Sequence, residues 1–277
     1  MNPLTFLHSS PGYSTSVSRL YGNIFRQMGY LPWLSNKIVT RITDGRRDPG
    51  GGADGQKFDD GKSALRANRK IYLTFDDGPG AGTLRAIEAL AAVGGAASFF
   101  FLGSKLDALP GAPELFERLA DGGHTTGLHG YAHLNAWKHS PREIAADQER
   151  GLDALKRFDS VRWARPPYGR LTPSLVRWYK SHKLTIAFWD INPIDYDSKK
   201  SGRTRSEIIE FILESVRPGS IVLLHENSAV WCDGIQDLAH NLVSDGWELA
   251  ALPVVSGTAG VSGHLAEAEA EVISLFR

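Results

Sequence analysis

Beyond residue 70 the chain alternates short apolar runs with longer amphipathic stretches, and this alternation organises the rest of the sequence. Residues 71–75, 98–102, 125–128, 184–188, 221–224 and 249–254 have the length and composition of buried strands, and a further short run at 161–164 leads into an Arg-Pro-Pro turn. The stretches between them carry helix starts. Ser140-Pro141-Arg142-Glu143 offers a capping Ser, a Pro in the first turn and a Glu that closes the capping box, and Thr172-Pro173 opens another helix in the same way. Regular alternation of strand and helix predicts an α/β fold, a parallel sheet covered by helices that is either open or closed into a barrel. In such folds the loops after the C-terminal ends of the strands carry the site.

Upstream the pattern is different. The stretch SVSRLYGNIFRQMGYLPWLSNKIVTRI spaces its apolar residues roughly as helices do, whereas DGRRDPGGGADGQKFDDGK is dense in Gly, Asp and Lys without any period. The expected organisation is an N-terminal extension at 1–68 of short helices plus a Gly/Asp-rich loop, a main domain at 69–255 and a C-terminal helical tail at 256–277. Leu20, Ile24, Met28 and Trp33 read as a face packed on the main domain, with a helix lying on a membrane surface as the competing reading.

Composition narrows the classes. A chain of 277 residues, 42% hydrophobic and 22% charged, can bury a sizeable globular core. Basic and acidic residues balance at 31 each, so net charge gives no argument for a nucleic-acid partner. The balance is uneven along the chain, because residues 1–70 hold 11 basic and 5 acidic residues. The single Cys232 excludes an intramolecular disulfide framework and a Cys-rich metal site. No apolar run reaches transmembrane length, and the start MNPLTFLHSSPGYSTS has neither a basic leader nor an apolar stretch of signal-peptide length. A cytoplasmic location is therefore expected, with the basic N-terminal region and Trp33 leaving room for peripheral association with a membrane.

The tetrapeptide FDDG occurs twice, at 58–61 and at 75–78, and only the second follows an apolar strand. Asp76 and Asp77 are thus presented from a strand end. His129 follows the run TTGL, Arg165 follows 161–164, Asp190 and Asp195 follow TIAFW, and His225 follows IVLL. Five strand ends deliver titratable groups to one face. Each signal also has a structural explanation: Asp-Asp-Gly-Pro is commonly a turn, Pro-Pro-Tyr-Gly a rigid corner, and a His after a strand a satisfied core residue. His129 and His133, four apart, would share one face of a helical turn and could bind a metal together.

In that order, LTFDDGP, GLHGYAH, RPPYG, WDINPIDY and IVLLHE resemble the five motifs of the polysaccharide deacetylase (NodB-homology) family of metal-dependent carbohydrate N-deacetylases, over residues 69–254. The resemblance implies a distorted (β/α) barrel of the NodB-homology type, with parallel strands and outer helices. It implies that Asp77, His129 and His133 ligate one divalent metal ion, Zn²⁺ first, with Co²⁺, Ni²⁺ or Mn²⁺ as alternatives. Asp76 is implied as the base, Arg165 as its ion-pair partner, His225 as the acid, and Asp195 as a further catalytic carboxylate. Tyr168 and Leu223 match positions lining an acetyl-methyl pocket, and Tyr196 stands where an aromatic wall is expected. The implied substrate is an N-acetylated sugar, oligosaccharide or lipid-linked sugar. A hydrolase of a non-sugar amide or cyclic amide, and a non-catalytic carbohydrate-binding relative, are the competing readings.

Two departures from the family pattern carry expectations. Gly130 stands where Ser or Thr usually follows the first His, so a hydrogen bond supporting the loop is expected to be missing. Asn192 stands in the place of the first carboxylate of Asp-x-x-Asp-Trp, which implies a less stabilised imidazolium at His225, with Asp190 as a substitute if it turns inward.

Overall fold

The computed structural model describes residues 38–39, 69–197 and 202–253. In chain order the elements are β1 (Ile38–Val39), β2 (Lys70–Gly78), α1 (Ala81–Ala91), β3 (Ser98–Phe101), α2 (Gly103–Asp107), α3 (Ala112–Asp121), β4 (Thr125–Leu128) and α4 (Pro141–Lys156). They continue with β5 (Trp163–Ala164), a 3₁₀ turn (Pro167–Gly169), α5 (Pro173–Ser181), β6 (Thr185–Ala187), α6 (Arg205–Ser215), β7 (Ile221–His225), α7 (Trp231–Ser244) and β8 (Glu248–Leu249).

The strands pair in parallel in the order β1-β6-β5-β4-β3-β2-β7, and β8 pairs with the start of β2. Just past β6 the chain reaches the other end of this path, where Ile191 bridges Val222 and accepts a hydrogen bond from the Leu223 amide at 2.9 Å. That contact brings the two ends of the curled sheet together, and the fold is a distorted (β/α) barrel.

Period-two alternation along the strands decides which side chains enter the barrel. Ile71, Leu73 and Phe75 pack outward with Leu90, Phe99 and Leu238, while Tyr72 joins Phe100, Leu128 and Leu223 on the other side. Thr74 and Asp76 share the Tyr72 side, so the strand that buries the core also carries a hydroxyl and a carboxylate inward. β7 repeats the device: Val222 and Leu224 face the helices, and Ile221 and Leu223 face inward below His225.

Helix starts follow local chemistry. Ser140 Oγ accepts from the Glu143 amide and Glu143 Oε2 accepts from the Ser140 amide, the reciprocal pair read from the sequence. Thr172 Oγ1 caps α5 by accepting from the Leu175 amide. β2 runs to Gly78, so Asp76 and Asp77 lie within the strand rather than after it. The strand expected over 249–254 is only two residues, Glu248–Leu249, with Ala250, Ala251, Leu252 and Pro253 irregular.

Within the extension read as helices and loop, Ile38 and Val39 pair with Ile186 and Ala187 as an added parallel strand. Two residues are too few to leave a periodic signature. The helical face at residues 20–33, the first FDDG and the tail at 256–277 lie outside the described residues. Among the described residues no helix is long and apolar enough to cross a membrane.

Candidate metal centre and its surroundings

The centre is built on the last residues of β2. Asp77 has φ 70°, a left-handed conformation that non-glycine residues adopt only when their surroundings impose it. Its carbonyl accepts from Lys105 Nζ and from Asn227 Nδ2, so α2 and the loop after β7 hold the turned backbone in place. Asp76 is 3% exposed, whereas the Asp77 side chain is partly open to solvent. Adjacent carboxylates are thereby sent to different neighbours.

His129 and His133 come from the loop after β4. Their spacing does not place them on a helix: residues 129–134 are irregular, and His133 has φ 57°. The chain folds back instead and brings the two rings to 5.1 Å between centroids. Buried His129 is oriented through its far nitrogen, with Nδ1 2.8 Å from the Arg165 carbonyl. Donation there leaves the Nε2 lone pair facing the carboxylates. His129 Nε2 lies 3.5 Å from Asp77 Oδ1 and 3.6 Å from Asp76 Oδ2, and His133 Nε2 lies 3.2 Å from Asp77 Oδ1.

Asp77 Oδ1 is a buried oxygen that accepts no hydrogen bond. One carboxylate oxygen and two imidazole nitrogens, all within 4.8 Å of one another, form a donor set that fits a divalent cation. The electrostatics favour the ligand forms of Asp77 and His133, whereas at His129 the carboxylates favour the protonated ring in the absence of a cation. Burial favours neutral Asp77, but His129, His133 and His225 outweigh it and hold the carboxyl well below the usual range. Burial and the neighbouring His129 push His133 down to about 4, which leaves it neutral. For His129 burial opposes protonation, and the Asp76 and Asp77 carboxylates reverse that effect and raise its pKa.

Arg165 fills the middle of the barrel and is fully buried. Every arm of its guanidinium is occupied: Nε donates to Ala187 O at 3.0 Å, Nη2 to Phe188 O at 3.0 Å, and Nη1 to Thr74 Oγ1 at 2.9 Å and Asp76 Oδ1 at 2.7 Å. It also lies 4.1 Å from the centroid of the Phe100 ring. With Oδ1 held by Arg165, the Oδ2 of Asp76 is the oxygen that faces the centre.

Opposite stands His225. Its Nδ1 is 2.9 Å from Asp195 Oδ1, while Asp195 Oδ2 accepts from the His225 amide at 2.7 Å and from Trp231 Nε1 at 2.6 Å. Burial opposes protonation of His225, and the hydrogen bond and charge of Asp195 win and raise its pKa. This overturns the expectation drawn from Asn192. The carboxylate behind His225 is Asp195, and Asn192 shapes the loop by accepting from the Ile194 amide at 2.9 Å, where β-branched Ile194 has φ 59°. Asp190 does not turn inward either; its two oxygens accept from Ser220 Oγ and the Ile221 amide, tying the segment after β6 to the start of β7.

At Gly130 the hydrogen bond that a Ser or Thr side chain would make is absent, as expected. The loop has its support, and it comes from the Asp147 carboxylate on α4, which accepts from the Tyr131 and Ala132 amides at 3.0 and 2.7 Å. Gly130 has φ 79°, and a Cβ there would lie 2.6 Å from Asp147 Oδ2. Glycine is the residue that admits the contact.

Tyr168 and Tyr196 stand exposed on the flanks, with rings 4.4 Å from His133 and 4.7 Å from His225. Leu223 is buried two residues below His225 on the same side of β7. Sequence reasoning missed Thr74, Trp231, Asp147 and Glu226. Thr74 was accessible in principle, lying two residues before Asp76 on one strand face. Glu226 was not: it is buried against Gly78, where a Cβ would lie 1.5 Å from its Oε1, and burial pushes its carboxyl up to about 8.

A family model described as polysaccharide deacetylase matches residues 64–187. The chitooligosaccharide deacetylase of Sinorhizobium fredii is 30% identical over 160 residues, 56% of this chain and 71% of that protein. The peptidoglycan-N-acetylmuramic acid deacetylase PdaC of Bacillus subtilis is 27% identical over 189 residues, 67% of this chain, and the chain spans only 38% of its length. The solved structure of PdaC superposes with a TM-score of 0.59 at 24% identity, covering 76% of this chain and 96% of the solved one, which establishes a shared fold. With the motif residues assembled at one end of that fold, the match shows that the chain belongs to the polysaccharide deacetylase family.

Proposed function

We propose that this protein hydrolyses the N-acetyl group of an amino-sugar-containing glycan or glycolipid. The observation that carries the reading is the buried Asp76–Arg165 pair, which turns one carboxylate oxygen toward the Asp77, His129 and His133 cluster. A divalent ion held by those three residues would supply Lewis acidity for the acetamide carbonyl and for a water molecule. Zn²⁺ suits an oxygen and nitrogen donor set of this kind, with Co²⁺, Ni²⁺ and Mn²⁺ as alternatives.

The chain's own residues do the remaining work. Arg165 holds Oδ1 and orients the Asp76 carboxylate, so that Oδ2 takes the proton of the attacking water. In the left-handed conformation of Tyr168 we place the backbone N–H that faces the developing oxyanion, as the family resemblance implies. His225, its imidazolium stabilised by Asp195, donates a proton to the departing amine, without which amide cleavage would expel a poor leaving group. Leu223 and Tyr168 line the space for a small acyl group, and Tyr196 forms a wall beside His225.

Acetate release from N-acetylated chitooligosaccharides by the purified protein tests this reading. The expected result is release that a chelator abolishes and added Zn²⁺ or Co²⁺ restores, together with an Asp76→Asn variant that binds metal and is inactive. Full activity in Asp76→Asn, or in chelated protein, would overturn it.

A further inference from the structure

The loop that carries both histidines is clamped on two sides by groups that touch neither ring. On one side its carbonyls are taken: Gly130 O accepts from the Gly103 amide at 3.0 Å and Tyr131 O from the Ser104 amide at 3.1 Å, both in the first turn of α2. On the other side its amides are taken, because Asp147 Oδ2 accepts from Tyr131 N and Oδ1 from Ala132 N. Each backbone group of the turn between the two histidines that these partners reach is thereby accounted for.

Close approach makes the clamp possible. Gly103 on α2, Gly130 on the loop and Gly151 on α4 meet where no side chain fits: a Cβ on Gly103 would lie 2.8 Å from Gly151 Cα, and a Cβ on Gly151 would lie 2.6 Å from the Gly130 carbonyl. Asp147 is one helical turn before Gly151, so seating α4 against the loop at Gly151 brings the Asp147 carboxylate within reach of the two amides. Asp147 is 7% exposed and makes no contact with the cluster itself.

From this geometry we infer that Asp147, seated by the Gly103–Gly130–Gly151 contact, is the positioning residue that sets the affinity of the centre for its metal. The inference rests on the reading of Asp77, His129 and His133 as the ligands. Ligands that are already in place at binding need no ordering when the ion arrives, and outer partners of a ligand are worth about 10- to 100-fold in affinity.

The test measures the dissociation constant of Co²⁺ or Zn²⁺ for metal-stripped full-length protein by competition with a chelator, with thermal unfolding of the stripped protein alongside. Asp147→Asn replaces one accepting oxygen by an amide that faces a loop N–H, and affinity is expected to fall about 10- to 100-fold. Gly151→Ala, a change that normally helps a helix, is expected to weaken binding in the same direction because its Cβ displaces α4 from the loop. Ser140→Ala removes the cap at the other end of α4 and serves as the control: it lowers the unfolding midpoint by a few degrees and leaves affinity within about twofold. Asp147→Asn and Gly151→Ala both within twofold of wild type would overturn the inference, as would an equal loss of affinity in Ser140→Ala. Should Asp147→Asn fail to fold, Gly151→Ala against Ser140→Ala decides. A wild-type protein that binds neither metal would instead sink the reading of the centre.

Discussion

β4 is four residues long and has a histidine at each end, and the two have opposite chemistry. His124, before the strand, uses Nδ1 to accept the Ala97 amide at 3.1 Å and packs edge-on to Phe99, and burial pushes its pKa down to about 4. His129, after the strand, donates from Nδ1 to a carbonyl and turns Nε2 toward two carboxylates that raise its pKa against the effect of burial. The same residue type, flanking the same strand, becomes a neutral packing group at one edge of the barrel and a candidate ligand at the other. The difference lies in what parallel strands bring together. At the C-terminal edge, loops from β2, β4, β5, β6 and β7 converge with acids and imidazoles. The N-terminal edge gathers glycines, alanines and scattered charges such as Arg118, Asp121 and Glu248 rather than a cluster of acids and imidazoles. A cavity of about 940 Å³ opens there beside His124, lined by Gly94, Gly95, Gly122, Gly123 and Arg118 among others. Open space by itself does not mark the candidate site; the convergence of a carboxylate and two imidazoles at the other end does.

The contrast can be broken most forcefully at His129. His129→Ala is expected to lower metal affinity and acetate release by more than about 100-fold, since loss of a mere outer partner of a ligand already costs 10- to 100-fold. Metal titration alongside acetate assays checks this. At the barrel centre, Arg165→Met strips the partner from Asp76 and leaves a buried charge uncompensated. Acetate release should be lost and stability should drop by about 3–5 kcal/mol, as read by denaturant unfolding.

Next in size is Asp195→Asn. The native pKa of His225 is raised, and the acid works only while protonated, so activity falls as pH rises through that value. Removing the carboxylate lowers the pKa and moves the alkaline fall of kcat/KM to lower pH, with a loss of roughly 10- to 100-fold at neutral pH. A pH profile with an unmoved alkaline limb would sink the pairing. The smallest effect on turnover belongs to the other histidine. His124→Ala orphans the Ala97 amide and should cost about 1–3 kcal/mol in stability while acetate release per folded molecule stays within about twofold. A large activity loss in folded His124→Ala protein would erase the distinction between the two ends.

Much of this architecture was legible in residue order. The apolar runs marked β2, β3, β4 and β7 to within a few residues, because four or five consecutive buried positions leave a signal that needs no partner. The Ser140 and Glu143 cap was legible because its two hydrogen bonds span only three residues. Asp76, Asp77, His129, His133, Arg165 and His225 stood out because each closely follows or ends a strand. What failed had a common cause. The helical reading of His129 and His133 and the role given to Asn192 were both inferred from spacing within one segment. The loop's support from Asp147 on α4, 17 residues after Gly130, was equally invisible in one segment, and the correction at Asn192 came from a turn that hands the contact with His225 to Asp195.

The sequence by itself determined that strands alternate with helices and that paired carboxylates, two histidines, an arginine and a further histidine arrive at one edge, since periodicity and order along the chain are local properties. Only the tertiary structure decided which carboxylate answers which histidine. Those pairings join residues such as Arg165 and Asp76, 89 positions apart, and they are set by how β5 and β2 curl around one barrel and by glycines small enough to let helix and loop meet.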